Sequence, residues 1–89
     1  MVQYGIALVR NTRDAMAAEK AAKSQGLDVR IIATPSSLKA TCGFCLKYNL
    51  AQEAAIQHVL RASQWPTEGW YHASQEGLRV TYERIEEDC

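Results

Sequence analysis

Two thiols, Cys42 and Cys45, stand three positions apart in the run Thr41-Cys42-Gly43-Phe44-Cys45-Leu46-Lys47-Tyr48. Nowhere else does the sequence gather reactive side chains at such short spacing. A pair of this kind can supply a nucleophile, a redox couple or two metal ligands. For nucleophilic work a cysteine needs exposure and a lowered pKa, which nearby cations or aligned amides provide. The preceding segment, Pro35-Ser36-Ser37-Leu38-Lys39-Ala40-Thr41, offers the cation of Lys39 and the hydroxyls of Ser36, Ser37 and Thr41. Gly43 would let the backbone approach a sulfur closely or take positive φ. This puts Cys42 first as the working residue, with Ser36, Ser37, Lys39, Thr41 and Gly43 as its support or as an anion-binding loop. The plain structural alternative is a small buried thiol at a strand edge.

Cys45 is the weaker candidate. A redox C-x-x-C is usually found at a helix N-terminus, where the dipole favours the thiolate. Here the pair leads into a strand pattern, so a thioredoxin-like role is disfavoured, although Cys45 can still serve as a resolving thiol. Tetrahedral zinc needs four ligands, and His58 and His72 are far apart in sequence. A metal site would therefore need Cys42 and Cys45 from each of two chains. His58 and His72 read as surface or core-edge residues. Trp65 and Trp70 read as cover for one end of the core, and Cys89 as incidental. There is no Gly-rich phosphate loop, Ser-His-Asp set or acidic metal cluster, which argues against a conventional hydrolase or nucleotide enzyme.

The elements that must position these thiols follow from hydrophobic periodicity. Gln3 to Val9 is a short apolar run that suits a buried strand. Asn11 is placed to cap a helix over Thr12 to Gln25, with Asp14 in its first turn and Gly26 as its left-handed stop. Ala15, Ala18 and Ala22, with Met16 and Ala21 alongside, give it a small-residue face. Glu19 reads as a solvated partner of Lys20 or Lys23. Leu27 to Ala33 reads as a second strand, parallel to the first across a crossover, and one helical turn is allowed after Ser36. From Gly43 to Tyr48 the alternation sends Phe44, Leu46 and Tyr48 to the core and Cys45 to the opposite face. Asn49 and Gln52 suggest a capping box for a helix over Leu50 to about Ser63, closed by Trp65-Pro66. Its buried stripe would take Ala51, Ala55, Val59 and Ala62, with Ile56 and Leu60 beside them. Glu68 to Ala73 reads as a strand, Gln75-Glu76-Gly77 as a turn, and Leu78, Val80 and Tyr82 as an added hairpin strand. Glu83 to Cys89 reads as a frayed acidic tail.

This order predicts an α+β ferredoxin-like βαββαβ sandwich. It has a mixed or antiparallel four-stranded sheet, two helices on one face, and a C-terminal extra strand or tail. The main domain would occupy residues 1–74, and the hairpin strand and acidic tail residues 75–89. At 89 residues the chain suits one domain with a modest core, and its 47% apolar content is that of a globular protein. Ten basic and ten acidic residues cancel, so charge gives no reason to expect nucleic acid or an anionic membrane as partner, and self-association as a homodimer stays open. No apolar run approaches the roughly 20 residues of a membrane span. The start, Met1-Val2-Gln3-Tyr4, lacks the basic and apolar pattern of a secretion signal. With an odd count of 3 cysteines, the expectation is a cytoplasmic protein with free thiols rather than a disulfide scaffold.

Asn11-Thr12 leading to Ala18-Glu19-Lys20, the Pro35 loop, and Cys42-Gly43 with its alternating continuation to Tyr48 together resemble the selenium/sulfur carrier protein-like family. The resemblance spans about Tyr4 to Tyr71. It implies that Cys42 matches the family's cysteine and carries sulfur or selenium as a persulfide or perselenide. It further implies a cysteine desulfurase-like donor and a selenium- or sulfur-using acceptor as partners, with no separate cofactor. Cys45 departs from the pattern, which more usually has a small residue such as Ala there, so a two-thiol mechanism would be particular to this chain. The alternatives are a non-catalytic module that binds a small anion or protein at Ser36 to Thr41, and the dimeric thiolate metal site.

Overall fold

A computed structural model describes residues 2–38, 43–62 and 67–85. The order of elements is β1 (Val2–Val9), α1 (Thr12–Ser24), β2 (Val29–Ala33), β3 (Phe44–Tyr48), a single 3-10 turn (Leu50–Gln52), α2 (Glu53–Ala62), β4 (Thr67–Glu76) and β5 (Arg79–Ile85). The strands form one sheet in the order β2-β3-β1-β4-β5, and every neighbouring pair is antiparallel. The sheet thus has five strands, correcting the expected four, and none of its neighbours is parallel. β1 and β2 do run parallel to each other, but β3 lies between them. Its N–H and C=O groups then satisfy both flanking strands.

Local sequence accounts for α1. The Asn11 side chain accepts from the Asp14 N–H at 2.8 Å. At the other end Gly26 takes φ +78°, and the Leu27 N–H returns to the Ala22 carbonyl at 3.0 Å, a glycine-terminated stop. Ala15, Ala18 and Ala22 are buried, so the helix lies close to the sheet, while Met16 faces solvent. β2 starts at Val29, two residues later than expected. Glu19 does more than pair with Lys23. Its Oε2 accepts from the Ile31 N–H at 3.0 Å, which ties the edge strand to the helix.

The second helix begins differently from its expectation. Asn49 caps the 3-10 turn by accepting from the Ala51 N–H at 2.9 Å, but Gln52 does not complete a capping box. Its Oε1 instead accepts from the Asp28 N–H at 2.9 Å. Ile56, Gln57, Val59 and Leu60 are buried, whereas Ala51, Ala55 and Ala62 are exposed. The larger apolar side chains win the sheet-facing stripe because their burial contributes about 1.5–3 kcal/mol each. Trp65, Pro66 and the end expected near Ser63 lie outside the described residues.

β4 is longer than expected and runs through residue 74 to Glu76, where a two-residue turn with Gly77 at φ +62° reverses the chain. β5 pairs with it from Glu76–Arg79 to Trp70–Ile85, so Glu83, Arg84 and Ile85 are strand rather than frayed tail. Residues 86–89, including Cys89, lie outside the described residues. Among the described residues, no helix is long and apolar enough to cross a membrane.

Alternation divides the core into two. Ala7, Val9, Val29, Leu46, Tyr48 and Trp70 pack with Ala15, Ala18, Ala22, Ile56 and Leu60 under the helices. On the other face Ile6, Leu8, Cys45 and Ala73 form a second cluster with Leu38, edged by Tyr4, Ile32, Tyr71, Val80 and Tyr82. The helices thus share one face, as expected, and among the described residues no helical residue joins the second cluster.

Candidate functional site

The connection between β2 and β3 leaves and returns at one place. The Thr34 N–H donates to the Gly43 carbonyl at 2.9 Å, one step beyond the Ala33–Phe44 pair that ends the ladder. Inside the connection the Leu38 N–H donates to the Pro35 carbonyl at 3.0 Å. That is a β-turn; the helical turn allowed after Ser36 would extend into residues outside those described. The turn leaves Ser36 and Ser37 exposed and buries Leu38. Lys39, Thr41 and Cys42 lie outside the described residues. Gly43, bonded to Cys42, is exposed. Among the described residues, no atom lies within 4 Å of where a Cβ on Gly43 would stand.

The alternation from Phe44 to Tyr48 is observed, with one correction. Leu46 and Tyr48 are buried under the helices, but Phe44 is 44% exposed. It pairs with Ala33 at the end of both strands, where Ala33 is itself exposed. Cys45 occupies the opposite face with 0% exposure. Its strand neighbours are Leu8 and Ile32. A thiol so enclosed behaves as a small hydrophobe until its surroundings open.

The rim of this second cluster is aromatic. Burial, and after it the neighbouring Tyr4, pushes the Tyr82 hydroxyl above its ordinary pKa. The Lys47 ammonium stands 4.3 Å from the centroid of the Tyr4 ring, a cation–π contact.

A second polar constellation lies on the helix-covered face. The Tyr48 hydroxyl donates to Glu53 Oε2 at 2.8 Å, and His72 Nε2 stands 2.6 Å from the same oxygen. Burial, then the hydrogen bond to Glu53 and the charge of its carboxylate, holds the Tyr48 hydroxyl well above its ordinary 10.0. Gly5 pairs with Tyr48 on one side and His72 on the other, and the Tyr48 ring lies directly over it. A Cβ at Gly5 would meet that ring at 2.2 Å. Trp70 packs edge-on against Tyr48 with centroids 5.8 Å apart, and its buried indole N–H has no partner among the described residues.

Sequence reasoning placed Tyr48 in the core and His72 at its edge but missed what joins them. The joining depends on the strand order that seats Gly5 between them, which periodicity does not reveal. His58 is exposed on α2. Among the described residues, no three His, Cys, Asp or Glu side chains come together as metal ligands.

The family model described as "Putative Se/S carrier protein-like" matches residues 4–72, a span that contains both Cys42 and Cys45. The chain belongs to that family. No curated protein and no solved structure matches it.

Proposed function

Proceeding from membership in that family, we propose that the chain is a chalcogen carrier and that Cys42 is its attachment point. The family match across residues 4–72 carries this reading. It is supported by the Thr34–Gly43 hydrogen bond, which anchors the loop's return immediately after Cys42. In the transfer step the Cys42 thiolate attacks the outer sulfur of a donor persulfide, R–S–SH. A new S–S bond forms on Cys42, the donor S–S bond breaks, and R–S⁻ leaves. The carrier then holds Cys42–S–SH and presents its outer sulfur to an acceptor; a perselenide follows the same balance. The donor is a cysteine desulfurase-like enzyme and the acceptor a selenium- or sulfur-using enzyme, both in the cytoplasm. The scaffold is a ferredoxin-like sandwich over residues 1–74, with residues 75–89 as an extension that adds β5.

Ser36, Ser37, Lys39, Thr41 and Gly43 support the thiolate as a polar loop. Cys45 serves as a guarded second thiol. When Leu38 lifts, the Cys45 thiolate attacks the inner sulfur of Cys42–S–SH, giving a Cys42–Cys45 disulfide and releasing HS⁻. Intact mass after incubation with a cysteine desulfurase and cysteine tests the carrier reading. One added sulfur on the wild type, and none at that site in Cys42→Ser, is the expected result. An unchanged wild-type mass, with Cys42 slow to alkylate, would reassign that residue as a structural thiol.

A further inference from the structure

The net charge of zero hides a separation of charge between the two faces of the sheet. Strand register sets one residue from each strand in a single row. Arg30 of β2 pairs with Lys47 of β3, Lys47 with Ile6 of β1, Ile6 with Tyr71 of β4, and Tyr71 with Arg84 of β5. Directly paired residues project to the same side of a sheet, and Ile6 and Tyr71 fix that side as the helix-free face. Three of the five residues are therefore cations on one line. The carboxylates of β4 and β5 that flank this row go the other way: Glu83 pairs with His72 and Glu76 with Arg79, on the helix-covered side. Asp28 borders the same recess as Arg30 and Lys47. Among the described residues, however, no carboxylate forms an ion pair with Arg30, Lys47 or Arg84.

Both ends of the row are seated. Lys47 stands over the Tyr4 ring. Arg84 lies over bare β4 backbone, where a Cβ at Gly69 would be 3.8 Å from its guanidinium carbon and 3.3 Å from the edge of the Tyr71 ring. Four strand spacings put Arg30 and Arg84 about 19 Å apart, too far for one small anion to meet both. The aromatic side chains are also engaged already, since Lys47 covers Tyr4 and the Tyr82 hydroxyl is hydrogen-bonded to Tyr4. Nucleic-acid bases would find no open stacking platform there. We propose that this row binds an extended acidic segment of a partner protein, laid across the strands. At about 3.3 Å per residue, roughly six residues span the row. Carboxylates at one end of the segment meet Arg30 and Lys47, which are one strand apart. A carboxylate at the other end meets Arg84, whose planar fork accepts it in a two-point bond. Such a docking site goes beyond the carriage of sulfur and does not depend on it.

Decaglutamate peptide titrated into ¹⁵N-labelled protein tests the site. It should shift the amides of Arg30, Lys47, Tyr71 and Arg84 in the wild type. Raising the salt from about 0.01 to 1 M, which shortens the Debye length from about 30 to 3 Å, should abolish those shifts. Arg30→Gln, Lys47→Gln and Arg84→Gln should each weaken binding about two- to fivefold, the weight of an exposed ion pair. The triple variant should lose it, and if that variant fails to fold, the single variants decide. Arg79→Gln removes the same charge from the opposite face of β5 and should leave binding unchanged. The absence of shifts along the row overturns the site. Equal weakening by Arg79→Gln and Arg84→Gln also overturns it, because net charge alone would then account for binding. Tighter binding of decauridylate at the same amides overturns the protein partner in favour of a nucleic acid.

Discussion

Leu46 and Cys45 are neighbours on β3, yet they are covered in different ways. Leu46 lies beneath two helices, whose alanines and aliphatic side chains fill its face of the sheet. Cys45 shares a cluster with Ile6, Leu8, Ala73 and the loop residue Leu38, within a rim of tyrosines. The helix-covered face is closed by elements that are themselves hydrogen-bonded along their length. Among the described residues, the opposite face carries no helix; its buried loop side chain is Leu38, on a turn with a hydrogen bond from Leu38 to Pro35. Opening the first face should therefore require displacing a helix, whereas the second offers a turn residue, Leu38, as its movable part. A carrier that keeps its second thiol out of reach until it is wanted needs the second kind of cover. The difference is one of local stability, and it can be attacked from either side.

The largest effect should come from Gly5→Ala on the helix-covered face. The added methyl would meet the buried Tyr48 ring at 2.2 Å, and that ring is fixed by Glu53 and Trp70. A loss of about 3 kcal/mol is expected in urea denaturation, at the upper end for overpacked sites. An unchanged midpoint would show that the ring can move aside and that this face is looser than described. Leu38→Ala should cost less, about 2 kcal/mol, at the low end for a leucine truncated at a buried site. Its diagnostic effect is on the other face: Cys45 should alkylate faster by at least tenfold under native conditions. If Gly5→Ala exposes Cys45 as strongly as Leu38→Ala does, the two faces open as one unit and the comparison fails.

The smallest effect is a pH dependence confined to the alkaline side. Tyr48 is held protonated in the fold, so the folded state retains its proton above pH 10.0, where the unfolded chain releases it. Its contribution is fully present below that pH and is lost as pH rises beyond it, at up to about 1.4 kcal/mol per pH unit for one proton. Stability measured from pH 8 to 11 should fall more steeply in the wild type than in Tyr48→Phe. Parallel curves would mean that Tyr48 is not sealed by the helix-covered face.

Much of this comparison was legible from period-two alternation alone. The run from Gly43 to Tyr48 assigns Cys45 and Leu46 to opposite faces, and the alanines of α1 announce a helix laid close to a sheet. Phe44 defied the pattern because alternation gives direction but not cover, and the strand ends before the helices reach it. Gln52 was misread, and Glu19, which does pair with Lys23, was read only in part, because each has an attractive partner nearby in sequence. Both also bind backbone amides near β2, which only the tertiary fold brings close. The Tyr48–Glu53–His72 constellation and the seat of Arg84 over Gly69 were hidden for the same reason. Each depends on a strand register that no single segment encodes. β5 was foreseen as an appendage; its pairing with the whole second half of β4 made it a full member of the sheet.

Residue-resolved labelling tests the central claim most directly. Wild-type protein is loaded by a donor, then alkylated under native conditions for increasing times, and its peptides are identified by mass. The account predicts persulfide on Cys42 at the earliest time, with Cys45 unmodified until the Leu38 cover opens and much slower to react. Persulfide on Cys45, or alkylation of Cys45 as fast as Cys42, would contradict it.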